Sequence, residues 1–278
     1  MIREPAVAGR FYPRERAQLE RDVRRHLGGD TTKTKATTAP VRALGCIVPH
    51  AGYMYSGGVA GAVFAKLELP RKFIILCPRH YPQGAPLAIL SEGTWRTPLG
   101  EAAIDEPLAR ALVHACPLLR EDAAAHAPEH AIEVELPFLQ VAAPGFQFVP
   151  ISLGTDRLPV LEDVGRAIAG VVAAQVEAQR EPVLIVASSD MNHYESDEVT
   201  RQKDARAIDR ILALDARGLH ELVRRENISM CGYGPAVAML VAAKQLGASK
   251  PELVGYATSA EVSGDYERVV GYAGIAVV

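Results

Sequence analysis

The sequence predicts an α/β fold in which a mixed, mostly parallel central sheet is covered by helices on both faces, within one domain spanning residues 1–278. Two observations lead to this prediction. Four short apolar runs, at residues 44–48, 73–77, 148–153 and 183–187, end at turn residues and are typical of buried strands. Segments with helical periodicity separate these runs, and such alternation indicates parallel strands between two helical layers.

The predicted elements follow one another along the chain. Residues 15–27 are predicted to form an amphipathic helix, because Leu19, Val23 and Leu27 recur among charged residues. Residues 28–40 are rich in Thr, Lys and Ala and lack apolar periodicity, so we expect an exposed, variable connection there. The predicted strands are 44–48, 73–77, 87–90, 148–153, 183–187, 253–258 and 269–277. The other predicted helices are 57–67, 107–116, 131–139, 158–178, 200–213, 218–225 and 234–246. The last two strands are expected to be antiparallel neighbours, because only a short loop joins them.

Composition and charge exclude several classes of function. The chain has 278 residues, of which 49% are hydrophobic and 23% charged, as expected for a globular protein with a substantial core. A formal net charge of −3 and the lack of a basic stripe argue against binding to nucleic acid. No apolar run approaches the roughly 20 residues that span a membrane, and the N-terminus lacks the apolar region of a secretory signal. Four cysteines without framework spacing predict a reducing, cytoplasmic location.

Three of the apolar runs end close to residues that bind metals or move protons. His50 follows the first run, His80 follows the second, and Asp190 and His193 follow the last. In α/β proteins, ligands bind beyond the carboxyl ends of such strands. A single histidine at such a position would most simply hydrogen-bond a backbone carbonyl. Two histidines at similar positions, on strands that we expect to be adjacent, instead favour a metal or catalytic site.

Cys231 is the cysteine whose surroundings differ from those of the others. It lies in the glycine-rich turn at residues 230–235, just before a predicted helix. A helix N-terminus lowers the pKa of a thiol and favours the thiolate, the form that binds metals, although a packed thiol at a turn is the alternative. Cys46, Cys77 and Cys116 lie within apolar strands or at a helix end and are predicted to be buried structural residues.

Candidate proton-transfer groups lie near the same strand ends. Asp190 and His193 form an Asp-x-x-His motif in which the carboxylate could orient the imidazole, or either group could act as acid or base. Ser188 and Ser189 raise the alternative of a Ser–His–Asp hydrolase acting through Ser189 and His193, but the Gly-x-Ser-x-Gly nucleophile motif is absent. His130 lies in the segment 129–133, which lacks the His-Glu-x-x-His pattern of zinc proteases. The glutamates of that segment could equally form a solvated helix start.

A series of motifs extends from one end of the chain to the other. They are Arg-Glu-Pro-Ala-Val-Ala-Gly-Arg-Phe-Tyr-Pro at 3–13, Pro-His-Ala-Gly-Tyr at 49–53, Pro-Arg-His at 78–80, Thr-Pro-Leu-Gly at 97–100, Glu-His-Ala-Ile-Glu at 129–133, Ser-Ser-Asp-x-x-His at 188–193, Cys-Gly at 231–232 and Val-Gly-Tyr-Ala at 270–273. In this order they resemble the Memo family, whose prokaryotic members are often called AmmeMemoRadiSam system protein B. That family is similar in fold to class III extradiol dioxygenases, which implies a metal pocket at one edge of a central sheet.

The resemblance implies a set of metal ligands and a set of proton-transfer groups. The implied ligands are His50, His80 and Cys231, and the implied catalytic groups are His193, Asp190 and His130. Extradiol dioxygenases hold Fe(II) with two histidines and a carboxylate, whereas a thiolate in the third position shifts the preference toward iron, copper or zinc. Because Cys231 replaces that carboxylate, we expect little or no ring-cleaving activity. Tyr81 also departs from the family pattern, in which a second histidine follows His80.

Two hypotheses for the function follow from the sequence. The first is a metal-dependent oxidoreductase of unknown substrate, with iron or copper as the cofactor and zinc as a further candidate. The second is a non-enzymatic adaptor that binds a metal, a small molecule or a peptide. The family name implies radical-SAM and AMMECR-type protein partners for it. Arg79, between the second apolar run and His80, could bind an anionic substrate or face solvent.

Overall fold

The computed structural model describes residues 1–29, 39–179 and 181–278. Its strands are β1 (Ile2–Arg3), β2 (Gly45–Val48), β3 (Lys72–Pro78), β4 (Leu87–Ile89), β5 (Thr94–Thr97), β6 (Gly100–Ile104), β7 (Arg120–Glu121), β8 (Gln147–Leu153), β9 (Val183–Ser188), β10 (His193–Glu195), β11 (Pro251–Thr258) and β12 (Val269–Val277). Its helices are α1 (Arg16–Arg24), α2 (Tyr53–Lys66), α3 (Glu106–Ala115), α4 (Ala123–His126), α5 (Leu136–Ala142), α6 (Leu158–Gln179), α7 (Asp197–Leu212), α8 (Ala216–Arg225), α9 (Tyr233–Gln245) and α10 (Ala260–Ser263). A π-helical turn, Arg25–Gly29, continues α1. Of the connection predicted at 28–40, residues 30–38 lie outside the described residues.

The strands form one mixed sheet whose centre is parallel. The strand order is β1-β5-β6-β8-β3-β9-β2-β12-β10, with β11 paired to β12 and β4 paired to β7 and β8. The strands from β6 to β2 in this order are parallel, whereas β12 is antiparallel to β2, β10 and β11. The four apolar runs of the sequence correspond to β2, β3, β8 and β9, and every residue of β2 and β9 is buried. The structure therefore confirms the predicted α/β/α fold with a mixed, mostly parallel sheet.

Helices pack on the sheet, and α9 is the most deeply buried of those described. It contacts α6, α8 and the central strands β3 and β9, while α2 contacts β11, β12 and α5. Every residue of α9 from Gly234 to Leu240 is buried. A helix that is apolar all round belongs in the interior of a protein. The start of α9, and with it Cys231, is therefore fixed against the centre of the sheet.

The main difference from the predicted elements concerns residues 131–139. The pattern predicts a helix there, but α5 begins only at Leu136. The preceding residues form turns, in which the carboxylate of Glu129 accepts hydrogen bonds from the backbone amides of His130 and Ala131 at 2.9 and 3.0 Å. Such bonds from a side chain to nearby amides compete with helix formation. The pattern also does not predict β1, β5, β6, β7 and β10, none of which is longer than five residues.

Three smaller features complete the fold. The last two strands, β11 and β12, pair antiparallel as predicted, and their connection contains α10. Cys46, Cys77 and Cys116 are buried as predicted, and all four cysteines are free thiols. Among the described helices, none is both long and apolar enough to cross a membrane.

Candidate metal centre

The candidate site lies at the carboxyl ends of three neighbouring parallel strands, β3, β9 and β2. His50 comes two residues after β2, and His80 comes two residues after β3. The prediction that these histidines follow adjacent strands is wrong, because β9 lies between β2 and β3. The two imidazole rings instead meet across the end of β9, with their centroids 5.2 Å apart.

Cys231 completes a group of three potential metal ligands with the two histidines. Its Sγ lies 3.3 Å from Nε2 of His50. Ligand atoms of His50, His80 and Cys231 all lie within 4.8 Å of one another. The turn before α9 comes this close to β9 because residue 232 is glycine: a Cβ on Gly232 would lie 2.2 Å from the carbonyl oxygen of Ser188. The missing side chain at Gly232 therefore lets the thiol reach the histidines.

Hydrogen bonds determine which nitrogen of each imidazole faces the ligand group. Nδ1 of His80 lies 2.9 Å from Oε1 of Glu129. An ionised carboxylate only accepts, so this Nδ1 carries the proton. Nδ1 of His50 lies 2.8 Å from Oγ of Ser188, and that hydroxyl donates its own proton to the carbonyl of Ala131 at 3.1 Å. Nε2 of His50 is therefore left unprotonated, which is the form that binds a metal, and Nε2 of His80 is the nitrogen that Glu129 does not engage.

The donor set and its spacing fit a transition metal. Tetrahedral sites place nitrogen and sulfur ligands about 2.1 and 2.3 Å from the metal, which implies an N–S separation of about 3.6 Å. The distance of 3.3 Å between His50 Nε2 and Cys231 Sγ is close to that value. Two imidazoles and a thiol suit zinc, copper or iron. The carboxylate of Glu129 behind His80 is also the usual support of a metal-binding histidine.

Burial keeps the inner histidines neutral. Burial, together with the charge of His80, lowers the pKa of His50 to about 3. Burial and the neighbouring His50 likewise lower the pKa of His130 to about 4. Burial acts to raise the pKa of Glu129, but the hydrogen bond and charge of His80 outweigh it and lower this pKa to about 2. Neutral imidazoles beside an ionised carboxylate are the protonation states that favour metal binding near neutral pH.

The thiol of Cys231 does not behave as its position before a helix predicts. Burial and the nearby carboxylate of Asp190 raise the pKa of this thiol, whereas a helix N-terminus would lower it. Loss of hydration is the largest contribution to this shift, and it outweighs the hydrogen bond from the backbone amide of Asp190 at 3.3 Å, which favours the thiolate. A coordinated metal ion would reverse this preference, since its charge deprotonates a coordinating thiol.

Asp190 and His193 make separate sets of hydrogen bonds. Oδ1 of Asp190 accepts from the backbone amide of His50 at 2.8 Å, so this carboxylate positions the turn that carries His50. The backbone amide of His193 donates to Oγ of Ser229 at 2.7 Å, and its Nδ1 lies 2.9 Å from the Ser229 carbonyl. A carbonyl only accepts, so the proton of neutral His193 lies on Nδ1 and Nε2 is free to take a proton. The orientation of His193, which the sequence attributes to Asp190, is thus set by Ser229.

His130 lies against the two histidines of the ligand group. Its ring stacks on that of His80, with centroids 4.7 Å apart and an interplanar angle of 25°, and lies 5.6 Å from the ring of His50. The ring of Phe11 contacts it on another side at 4.8 Å. His80, Glu129 and His130 also form a second group whose ligand atoms lie within 4.8 Å of one another. His130 is therefore close enough to the site to exchange protons there or to contribute a ligand.

Three residues that support the site were not predicted from the sequence: Glu129, Ser188 and Ser229. Glu129 is only 1% exposed, which excludes the solvated helix start that the sequence left open. Its signal was present but ambiguous, because a glutamate beside a histidine is also common at protein surfaces. No local pattern indicates Ser229, which lies 36 residues from the His193 that it positions.

Replacing Glu129 by Gln is expected to weaken metal binding roughly 10–100-fold without abolishing it, as is typical when the partner of a metal-binding histidine is changed. The amide lacks the charge that holds the proton on Nδ1 of His80. Competition with a chromophoric chelator measures the change. Glu92→Gln, at an exposed position, is the matched control. Equal affinities of Glu129→Gln and the wild type would contradict the support role of Glu129.

Fold and site together define a class: α/β/α proteins with a His/His/Cys ligand group at the carboxyl ends of their central parallel strands. A family model described as Memo-like protein matches residues 3–276. The chain belongs to the Memo family, as its motifs indicated.

Relatives with the same family name match along nearly their whole length. A MEMO1 family protein of Methanopyrus kandleri is 44% identical, over 99% of this chain and 98% of the relative. A MEMO1 family protein of Methanothermobacter thermautotrophicus is 39% identical, over 98% of this chain and 99% of the relative. One of Methanosarcina barkeri is 40% identical, over 99% of this chain and 100% of the relative.

Proposed function

We propose that this Memo-family protein binds a transition metal through His50, His80 and Cys231 and acts as a metal-dependent oxidoreductase. The observation that carries the proposal is the convergence of three donor atoms within 4.8 Å of one another. Hydrogen bonds engage Nδ1 of both histidines and leave Nε2 of each free of these partners, so the two rings are oriented before any metal arrives. The thiolate favours iron or copper, with zinc as a third candidate.

The metal would supply Lewis acidity and, for iron or copper, a site for electron transfer. The chain itself supplies the proton-transfer groups. His193 presents Nε2 as a proton acceptor because Nδ1 is held at the Ser229 carbonyl. His130, whose ring stacks on that of His80, is a second candidate acid or base. An imidazole in this state can take a proton from a substrate and return it.

The nature of the third ligand limits the expected reaction. A thiolate carries the same single charge as the carboxylate of an extradiol dioxygenase, but it is softer and can itself be oxidised. Asp190, whose carboxylate lies near Cys231, accepts a hydrogen bond from the backbone amide of His50 through Oδ1. We therefore expect little or no cleavage of catechol rings and an oxidoreductase reaction on another substrate.

Replacing His193 by Ala is expected to leave the metal content unchanged and to lower turnover by about 10²–10⁴-fold, the usual contribution of a general acid or base. Oxygen uptake by protein loaded with iron without oxygen, tested against a small panel of catechols and related reductants, measures turnover. His114→Ala, at an exposed position on α3, is the control.

Two outcomes would contradict this assignment. Catechol cleavage by the wild type at an ordinary enzymatic rate of about 1 s⁻¹ or more would show that Cys231 does replace the carboxylate functionally. Absence of turnover with every substrate, together with co-purification of a radical-SAM or AMMECR-type protein that His193→Ala disrupts, would instead favour the adaptor hypothesis.

A further inference from the structure

A crevice of about 430 Å³ has Cys231 among its lining residues. One wall is formed by the residues that follow β3 and β8, including Arg79 and Arg157. The other wall is the start of α9. The carboxyl ends of neighbouring parallel strands, facing a helix N-terminus, are where α/β proteins commonly bind ligands.

Cys231 belongs to both the crevice and the ligand group. It lines the crevice together with Tyr233 and Gly234, and its Sγ lies 3.3 Å from Nε2 of His50. A molecule lying in the crevice would therefore lie beside the candidate metal centre at Cys231. The proposed metal centre and the crevice thus share one residue, Cys231.

The charges that line the crevice are predominantly positive. Its charged residues are Arg79, Arg157 and Asp156. The carboxylate of Asp156 is already paired with Arg224, which is not among the lining residues. The crevice therefore presents two guanidinium groups against one carboxylate that a third arginine neutralises. Such a concave surface attracts an anion and repels a cation.

The two arginines differ in the partners that their guanidinium groups already have. Nη2 of Arg79 donates to the carbonyls of Pro82 and Gly84, which fixes its guanidinium, while its buried Nε has no acceptor among the described residues. The stem of Arg79 is packed so closely on residue 154 that a Cβ on Gly154 would lie 2.6 Å from its Cδ. The guanidinium of Arg157 makes no hydrogen bond or ion pair with the described part of the chain.

Two neutral features add hydrogen-bond donors to the same crevice. Oγ1 of Thr155 accepts a hydrogen bond from the backbone amide of Arg157 at 3.3 Å. The hydroxyl proton of Thr155 is therefore free to be donated to a ligand. α9 is a helix of 13 residues whose first turn borders the crevice, and a helix N-terminus carries partial positive charge. Neither feature would define a site alone, but both favour the same ligand charge as the two arginines.

We infer that this crevice binds the anionic group of a substrate, a carboxylate or a phosphate ester, and holds the rest of that molecule against Cys231. The inference rests on the proposed function in one respect, because it places the substrate beside the proposed metal. Arg157 provides the adaptable contact, since its guanidinium is exposed and unpaired in the described structure. Arg79 provides the fixed one, since two carbonyls hold it in place.

The test measures how small ligands protect Cys231 from iodoacetamide in the metal-free, full-length protein, read by mass spectrometry over time. The probes are phenyl phosphate, benzoate and the uncharged benzyl alcohol. We expect an anion to protect Cys231 saturably and benzyl alcohol not to protect it. Arg157→Ala should raise the half-protecting concentration about 10-fold or more, because it removes a charge-assisted hydrogen bond. Arg157→Lys should restore part of the effect.

Arg166→Ala is the matched control, because Arg166 is also exposed but lies on α6 and pairs with Asp163 at 2.7 Å. In Arg166→Ala the anions should protect Cys231 from iodoacetamide to the same extent as in the wild type. Stronger protection by phenyl phosphate would identify the anionic group that the crevice binds as a phosphate ester, and stronger protection by benzoate would identify it as a carboxylate. Absence of protection, equal protection by benzyl alcohol, or unchanged protection in Arg157→Ala would overturn the inference.

Metal content is measured separately on the same variants, so that the two proposals fail independently. Arg157→Ala is expected to retain the wild-type metal content, because Arg157 contacts none of the three ligands. A wild type that binds no metal but shows anion protection would remove the proposed function and leave the anion site. A wild type that binds metal but shows no protection of Cys231 by anions would remove the anion site and leave the proposed function.

Discussion

Replacing His50 by Ala, His80 by Ala or Cys231 by Ser is expected to reduce the bound metal from about one per chain to a small fraction of that value. Each residue supplies one of only three donor atoms in the ligand group, and catalytic metal sites commonly have three protein ligands. Loss of one ligand also removes the partner that positions another, because the sulfur of Cys231 lies 3.3 Å from His50. Elemental analysis of protein purified without oxygen gives the occupancy.

Controls for these variants exist within the same chain. His114→Ala changes an exposed histidine, and Cys116→Ser changes a buried thiol at the end of α3 that is not part of the ligand group. Both should retain the wild-type occupancy. Thermal unfolding of each variant separates loss of metal from loss of fold. Unchanged occupancy in all three ligand variants, with the fold intact, would remove the metal centre from this protein.

The central part of the fold was predictable because its residues carry a strong local signal. The runs that became β2 and β9 are apolar throughout, and every residue in them is buried. A continuous apolar run is a property of neighbouring residues alone, so it can be recognised in a single sequence. The short strands β1 and β7, of two residues each, form through pairing with distant parts of the chain. No local pattern specifies such pairs.

The ligand residues were predictable for a similar reason, and their geometry was not. His50 and His80 could be placed at one edge of the sheet because parallel strands deliver their carboxyl ends there. The order of strands is a property of the whole chain, and the position of β9 between β2 and β3 could not be read locally. The same holds for the pKa of Cys231. Its position in sequence indicates a helix dipole, whereas its burial in the folded protein decides the direction.

The most consequential residue that the sequence left ambiguous is Glu133. It was compatible with a solvated helix start, yet it is fully buried and accepts four hydrogen bonds from the N-terminal residues. Its donors are the guanidinium of Arg3, the amides of Ala6 and Val7 at 2.8 and 3.0 Å, and the hydroxyl of Tyr12 at 2.5 Å. Glu133 therefore anchors residues 3–12 to the segment that precedes α5. This N-terminal stretch includes Phe11, whose ring contacts that of His130.

Replacing Glu133 by Gln is expected to lower the free energy of unfolding by about 3–5 kcal/mol, the usual cost of breaking a buried ion pair by removing one partner. Arg3 would keep its charge in a site where its side chain is only 5% exposed. The new amide would also turn an NH2 group toward backbone amides that need an acceptor. For a chain of this size the loss corresponds to a fall in Tm of about 10 °C.

Glu4→Gln is the matched control, because Glu4 lies in the same N-terminal segment and forms an ion pair with Arg96 while remaining 63% exposed. Exposed pairs contribute little, so we expect a change within about 0.5 kcal/mol. Tyr12→Phe removes one of the four bonds and should give an intermediate loss, since a hydrogen bond to a charged group contributes about 1.5–3 kcal/mol. Urea unfolding measures all three variants. If Glu133→Gln cost no more than Glu4→Gln, the N-terminal segment would not depend on this carboxylate, and its contact with His130 would need another anchor.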